Sequence, residues 1–220
     1  PPGALDPPGP PRSRLEVRSV LGRKDAIGVA LGLVAAAAFL TSCRVPTPGP
    51  ELTYRHEREQ AVRAALPPAE TSRFRGLRYY PYDPGCRLEA MIEPITPPEA
   101  VRIAASSGAP RPAHRVGRVR LALPGGTAVL TVFQLDDIRD RYPDMLFLPF
   151  RDVGAGRATY GAGRYVDVER RPGGVVTIDF NRAYNPDCAY GIAGECPIAP
   201  PENTLPFAVR AGEMIPPGHG

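Results

Sequence analysis

A chain of 220 residues, 43% hydrophobic and 23% charged, has the make-up of one soluble globular domain with an extra segment attached. Its 29 prolines and 23 glycines, with no tryptophan, demand many turns and exclude a helical bundle. The net charge is only +4, Lys24 is the single lysine among 27 basic residues, and no basic run of five occurs, so no nucleic-acid partner is expected.

Residues 1–24 carry Arg12, Arg14, Arg18, Arg23 and Lys24, and the apolar run Ala26 to Leu40 leads into Thr41, Ser42 and Cys43. That run falls short of the ~20 residues a membrane span needs, so 1–42 reads as a secretory signal. Leu40-Thr41-Ser42-Cys43 resembles a bacterial lipobox. The resemblance implies cleavage before Cys43, lipidation of its thiol, and a protein held by several acyl chains on the exported side of a bacterial cell-envelope membrane. An uncleaved anchor helix with an incidental cysteine is the alternative. Because Pro1 to Pro11 precedes an already complete signal, translation is expected to start later, near Val17 or Leu21.

Residues 43–50 form the lipidated cysteine and a Pro-rich tether. A surface helix is expected over 51–66, with Pro50 and Glu51 at its start and Pro67 and Pro68 ending it. Strands are expected at Phe74 to Tyr82, Cys86 to Ile95 and Val101 to Ser106, broken by Pro84-Gly85 and Thr96-Pro97-Pro98. Val119, Leu121 and Leu123 alternate with Arg118, Arg120 and Ala122, and the turn Pro124-Gly125-Gly126 returns the chain along Thr127 to Leu135. Asp136 to Asp144 is a charged loop whose aspartates lack the spacing of a calcium loop. Leu146 to Phe150, Thr159 to Glu169 and Val175 to Phe180 bring the count to eight strands or more. The fold class is therefore mainly β: a single antiparallel β-sandwich or barrel-like domain over 73–215, with one N-terminal surface helix and a disordered tail at 216–220.

Polar residues concentrate in Leu146 to Asp152 (LFLPFRD), Thr159 to Asp167 (TYGAGRYVD), Asp179 to Cys188 (DFNRAYNPDC), Pro200 to Asn203 (PPEN) and Arg210 to Glu213 (RAGE). In this order the motifs resemble DUF1684, a family whose function is unknown. The turn Val153-Gly154-Ala155-Gly156 departs from the Thr-Ser-Gly type usual there, so any contact made by those hydroxyls is missing.

Arg164 offers a planar fork for a carboxylate, sulfate or phosphate, or it pairs internally with Asp152, Asp167 or Asp179 as a brace. Asp179, Asn181, Tyr184 and Asn185 end a strand with mixed donors and acceptors that suit a sugar or another small polar molecule, or equally tie down their own loop. Thr159, Tyr160 and Asn203 complete the candidate ligand set. The glycines around them match neither dinucleotide-binding nor phosphate-loop spacing.

Cys188 and Cys196, with seven residues between them in a loop, suit a disulfide worth ~2.6 kcal/mol by the chain-entropy relation. Two thiols fall short of a zinc site, and no metal or cofactor is expected. The polar motifs contain no histidine, so a histidine-based hydrolase is disfavoured. A carboxylate hydrolase using Asp152, Asp167 or Asp179 stays open, as does a purely structural or interaction module. The leading expectation is non-catalytic binding of a small polar or saccharide-like ligand. If Cys43 is the anchor, the mature protein partitions into detergent with an acylated Cys43 peptide, and Cys43→Ala moves it to the aqueous phase.

Overall fold

The computed structural model describes residues 47–217 apart from 107; the signal, Cys43, residues 44–46 of the tether, the expected start sites and the last three residues lie outside them. Six strands form, β1 (Arg87–Ile103), β2 (Arg111–Leu123), β3 (Gly126–Leu135), β4 (Met145–Phe150), β5 (Arg164–Glu169) and β6 (Val175–Asp179). They make one antiparallel sheet in the order β5-β4-β3-β2-β1-β6. Its two edges, β5 and β6, curl toward each other, so the sheet is a nearly closed barrel and not a sandwich.

The alternation in β2 sends Val119, Leu121 and Leu123 inward and Arg118, Arg120 and Ala122 outward. Inside, they meet Leu130 and Val132 of β3, Leu146, Leu148 and Phe150 of β4, Val166 and Val168 of β5, and Val176 and Ile178 of β6. Removing these side chains from water is the main drive to close the sheet. β3 and β4 are also covered outside, where Phe133, Leu135, Phe147 and Tyr165 form a second cluster capped by Ile138 and Tyr184. That double burial explains why β3 loses strict alternation, with Leu130, Thr131, Val132 and Phe133 all buried.

Four expected strands differ. Cys86 to Ile95 and Val101 to Ser106 are one strand, β1, with a register shift between Pro94 and Glu99. Proline has no N–H for the ladder, yet it holds its neighbours extended, so pairing lapses while the strand runs on. Phe74 to Tyr82 pairs only at the bridge Tyr79 to Glu213, because its other partners are side chains and the C-terminal segment. The Leu77 amide donates to Glu59 Oε2 at 3.2 Å, and the Asp83 amide to Asn181 Oδ1 at 2.9 Å. Thr159 to Gly163 is a set of turns, so β5 begins only at Arg164.

Helix α1 (Gly49–Ala65) is followed by the single turn α2 (Pro68–Thr71). α1 lies on the domain surface as expected, burying Val62 beside Leu66 and Tyr190. Polar contacts hold the rest of it: Arg58 reaches Glu213 at 3.3 Å, and the buried Glu51 accepts from Arg182 at 3.2 Å.

The C-terminal segment 205–215 enters the barrel at the seam with Leu205, Val209 and Ala211. Gly212 allows its tightest approach, at φ +75°, where an added Cβ would sit 2.6 Å from the carbonyl oxygens of Phe180 and Ala183. Gly212→Ala is therefore expected to cost ~2 kcal/mol or more in urea denaturation, whereas Gly156→Ala, with open space around it, costs less.

Candidate functional site

The residues singled out in the sequence divide into a buried set and an open set. Arg164, at the start of β5, is fully buried. Its Nη1 donates to the carbonyls of Ala211 and Glu213, and its Nη2 to the Val209 carbonyl at 2.9 Å and to Asp152 Oδ2 at 3.0 Å. The guanidinium stacks 5.0 Å from the Phe150 ring centre. Burial pushes the Arg164 pKa down, and the Asp152 carboxylate opposes that shift.

Asp152 is equally committed. Its Oδ2 also accepts from the Val209 amide at 3.0 Å, and its Oδ1 accepts from the Thr159 hydroxyl at 2.7 Å and the Gly154 amide at 2.9 Å. Of the two readings of Arg164, the brace is the one the geometry realises, with Asp152 as the partner. All four Nη hydrogens are engaged within the protein, which leaves no fork for a ligand.

Three buried asparagines tie the backbone together: Asn181 and Asn203 both donate and accept through the side-chain amide, as a peptide group does, whereas Asn185 only donates and its Oδ1 is buried without a partner. Asn203 accepts from the Thr131 amide at 2.8 Å and donates to the carbonyls of Thr131 and Pro149 at 2.8 and 2.7 Å. It bridges β3 and β4 where their own ladder has only the pair Phe133 and Phe147. Asn181 grips the Asp83 backbone in both directions and donates to Asp179 Oδ1 at 3.0 Å. Asn185 donates to the Tyr190 hydroxyl at 3.0 Å and the Met214 carbonyl at 2.9 Å.

A second buried carboxylate, Glu213, escaped the sequence reading as a site residue. It accepts from Tyr190 at 2.6 Å, the Asn185 amide at 2.8 Å, Arg58 at 3.3 Å and Tyr79 at 3.4 Å. Burial raises its pKa, against the pull of Arg58 and the Tyr190 and Asn185 hydrogen bonds. Its place in the motif Arg210 to Glu213 was the one available signal; nothing local distinguished Arg58 from its helical neighbours.

The open set gathers at the seam. Tyr165 and Tyr184 exchange backbone hydrogen bonds of 2.9 and 3.0 Å, stitching β5 to the chain just beyond β6. The Tyr184 hydroxyl donates to Asp167 Oδ1 at 3.0 Å, and Arg58 stacks 5.0 Å from the Tyr184 ring centre. On one side of the Asp167 and Tyr184 pair is a cleft of about 290 Å³, lined also by Tyr54, Arg87, Glu169, Arg171, Asp179 and Arg182. On the other is a cleft of about 280 Å³, reached by Arg111, Tyr165, Asp187, Glu195 and Cys196. Asp167 faces water at the cleft mouth, but the crowding walls raise its pKa, against the Tyr184 hydrogen bond and Arg58.

Tyr160 contacts the Cys188 sulfur at 4.0 Å and lies outside both seam clefts. Cys86, Cys188 and Cys196 are free thiols, so the expected disulfide is not formed here, although the Cys188 amide donates to Cys196 Sγ at 3.2 Å. Among the described residues no group of three or more His, Cys, Asp or Glu is arranged to hold a metal ion, and no helix is long and apolar enough to cross a membrane.

The class defined by this geometry is a nearly closed antiparallel β-barrel whose C-terminal segment is pinned inside by a buried arginine and carboxylate pair. Residues 72–214 match the family described as protein of unknown function (DUF1684), and the chain belongs to that family. An uncharacterised protein of Haloarcula marismortui, solved by solution NMR, shares 32% identity with a TM-score of 0.57, over 74% of this chain and 91% of that one. No curated protein matches the chain.

Breaking one side of the brace leaves the other charge buried and alone, which costs ~3–5 kcal/mol. Arg164→Met and Asp152→Asn are each expected to lose stability on that scale in chemical denaturation, and the double variant to lose clearly less than their sum.

Proposed function

We propose that this chain is a lipid-anchored cell-envelope protein that binds, without turning it over, a small polar or saccharide-like ligand in the seam cleft between β5, β6 and α1. The observation that carries the reading is the Asp167 and Tyr184 pair, a carboxylate and a phenol 3.0 Å apart that face both clefts. Carboxylates, guanidinium forks and the ring faces of Tyr54 and Tyr184 are the groups that recognise hydroxyls and the faces of sugar rings. A volume of about 290 Å³ lies at the small end of the ~300–1,000 Å³ range of ligand pockets, which favours a ligand of one or two rings.

The side chains are also available. Arg87 and Arg182 are half-exposed: Arg87 pairs with Asp179 at 3.4 Å, and Arg182 with the buried Glu51 at 3.2 Å, which keeps Arg55 at 3.0 Å as a second partner, so a ligand can redirect either guanidinium group. The lipid anchor rests on the basic, apolar and Leu40-to-Cys43 sequence alone.

A second reading, a carboxylate hydrolase, is favoured by the raised pKa of Asp167, which suits a general acid, with Glu169 or Asp179 in the same cleft as the second carboxylate. Asp152 drops out of that role because its lone pairs serve the brace. Activity of this kind would be present while Asp167 is protonated and lost as pH rises through its pKa.

A thermal-shift screen against sugars, muropeptides, organic acids and divalent metals tests both. A true ligand stabilises by ~2.7 kcal/mol at a hundredfold excess over its Kd. That shift is expected to vanish in Asp167→Asn and Tyr184→Phe while both variants stay folded. A hit that survives in both places the ligand elsewhere, and turnover of the hit by the unmodified chain selects the hydrolase.

A further inference from the structure

We propose that Cys188 and Cys196 are a reversible dithiol and disulfide couple that sets the stiffness of one wall of the Asp167 and Tyr184 cleft. The inference does not depend on what that cleft binds.

The two thiols meet because the segments carrying them are anchored separately. Cys188 lies in the 3-10 turn Asp187–Tyr190, which is tied down by the Tyr190 hydroxyl on Glu213 at 2.6 Å. Cys196 is held against the end of β1: its carbonyl accepts from the Ser106 amide at 3.0 Å, and the Ile198 amide donates to the Ala104 carbonyl at 2.7 Å. The following Pro197 carbonyl accepts the Tyr165 hydroxyl. Neither anchor uses a sulfur, yet Cys196 Sγ rests 3.2 Å from the Cys188 amide nitrogen. Between them, Gly191 takes the left-handed conformation at φ +71°, and Gly194 has nothing near its Cβ position, so the loop has freedom to let the sulfurs bond.

The pair also has an entry point and a consequence. Cys188 is half-exposed and Cys196 is buried, so an incoming reagent meets Cys188 first. Its thiolate attacks a low-molecular-weight disulfide such as oxidised glutathione and expels one thiol. The Cys196 thiolate then attacks the Cys188 sulfur of the mixed disulfide and expels the second. Two electrons pass to glutathione, and the two protons lost by the cysteines are taken up by the leaving thiolates. Burial and the neighbouring Cys188 thiol hold Cys196 up at about 11, which lowers its thiolate fraction in the second step. Cys188 lines a separate cavity of about 250 Å³ with Phe74 and Tyr190, and Cys196 lines the seam cleft, so one bond would tie the walls of both.

The test equilibrates the purified full chain in a series of reduced and oxidised glutathione, quenches with acid, and counts maleimide adducts by intact mass and peptide mapping. The expected result is a single two-thiol transition linking Cys188 to Cys196, reversed by reductant, with Cys86 still alkylated. Cys196→Ser is expected to trap glutathione on Cys188, whereas Cys188→Ser leaves Cys196 unmodified. Hydrogen exchange across 188–197 is expected to slow in the oxidised form. The proposal is overturned if both thiols stay free under full oxidation of the folded chain, if the link involves Cys86 or needs denaturant, or if exchange at 188–197 is the same in both states.

Discussion

The Arg164 guanidinium fixes the relation between the barrel and the segment that fills it. A positive charge and its Nη hydrogens are costly to bury bare in an apolar interior, so burying Arg164 requires acceptors to be brought to it; all four Nη hydrogens find them and Nε does not. Asp152 supplies the countercharge from the end of β4, and three carbonyls, those of Val209, Ala211 and Glu213, come from the C-terminal segment. Alternate residues supply those carbonyls from a segment that bends at Ala211-Gly212, where Gly212 is left-handed at φ +75°, and the strip 205–215 passes between the start of β5 and the end of β6 without forming a strand of the sheet. The same strip carries Leu205, Val209 and Ala211 into the core and presents Glu213 to α1. Core packing, the seam and the helix dock thus share one polar centre.

That centre also explains why the seam is polar. β5 and β6 are only six and five residues long and share no ladder. Tyr165 and Tyr184 make the single backbone bridge there, and side chains do the rest. A wall made of separate side chains is discontinuous where a ladder would be smooth, and the two clefts flanking Asp167 and Tyr184 are those discontinuities.

How much of this could be read in advance depended on whether the cause was local. The β2 and β3 hairpin was legible because period-two alternation and a Pro-Gly turn are local signals. The helix ends were legible for the same reason: paired prolines stop α1 whatever surrounds them. The continuity of β1 through Thr96-Pro97-Pro98 was not, since it depends on β2 holding both flanks in register on either side of the lapse. Eight strands or more were expected and six form among the described residues, because two expected strands are one in β1 and because Phe74 to Tyr82 is β-like in composition but finds its partners in Glu59, Asn181 and the C-terminal strip. Within the candidate site, residue types indicated which side chains mattered and not how they are used. Asn181, Asn185 and Asn203 are buried ties in the fold, while Asp167, entered only as a carboxylate candidate, stands in the cleft.

The position of α1 follows from the same logic and bears on the cleft. Its apolar stripe is thin, so burial of Val62 and Leu66 fixes only its C-terminal end. The N-terminal half is held by charge: Glu51 to Arg182, Tyr54 to the Arg182 carbonyl at 2.8 Å, and Arg58 to Glu213. Contacts to a guanidinium that is itself half-exposed are weak, and the Arg58 to Glu213 contact, between a partly and a fully buried group, is the firm one. Arg58 also stacks on Tyr184, whose hydroxyl holds Asp167. Glu213, Arg58, Tyr184 and Asp167 therefore form a continuous chain of contacts from the barrel interior to the cleft mouth. Tyr54 of α1 and Arg182 form the helix side of the cleft, and the Asp167 and Tyr184 pair opposite them is tied to the interior through Arg58.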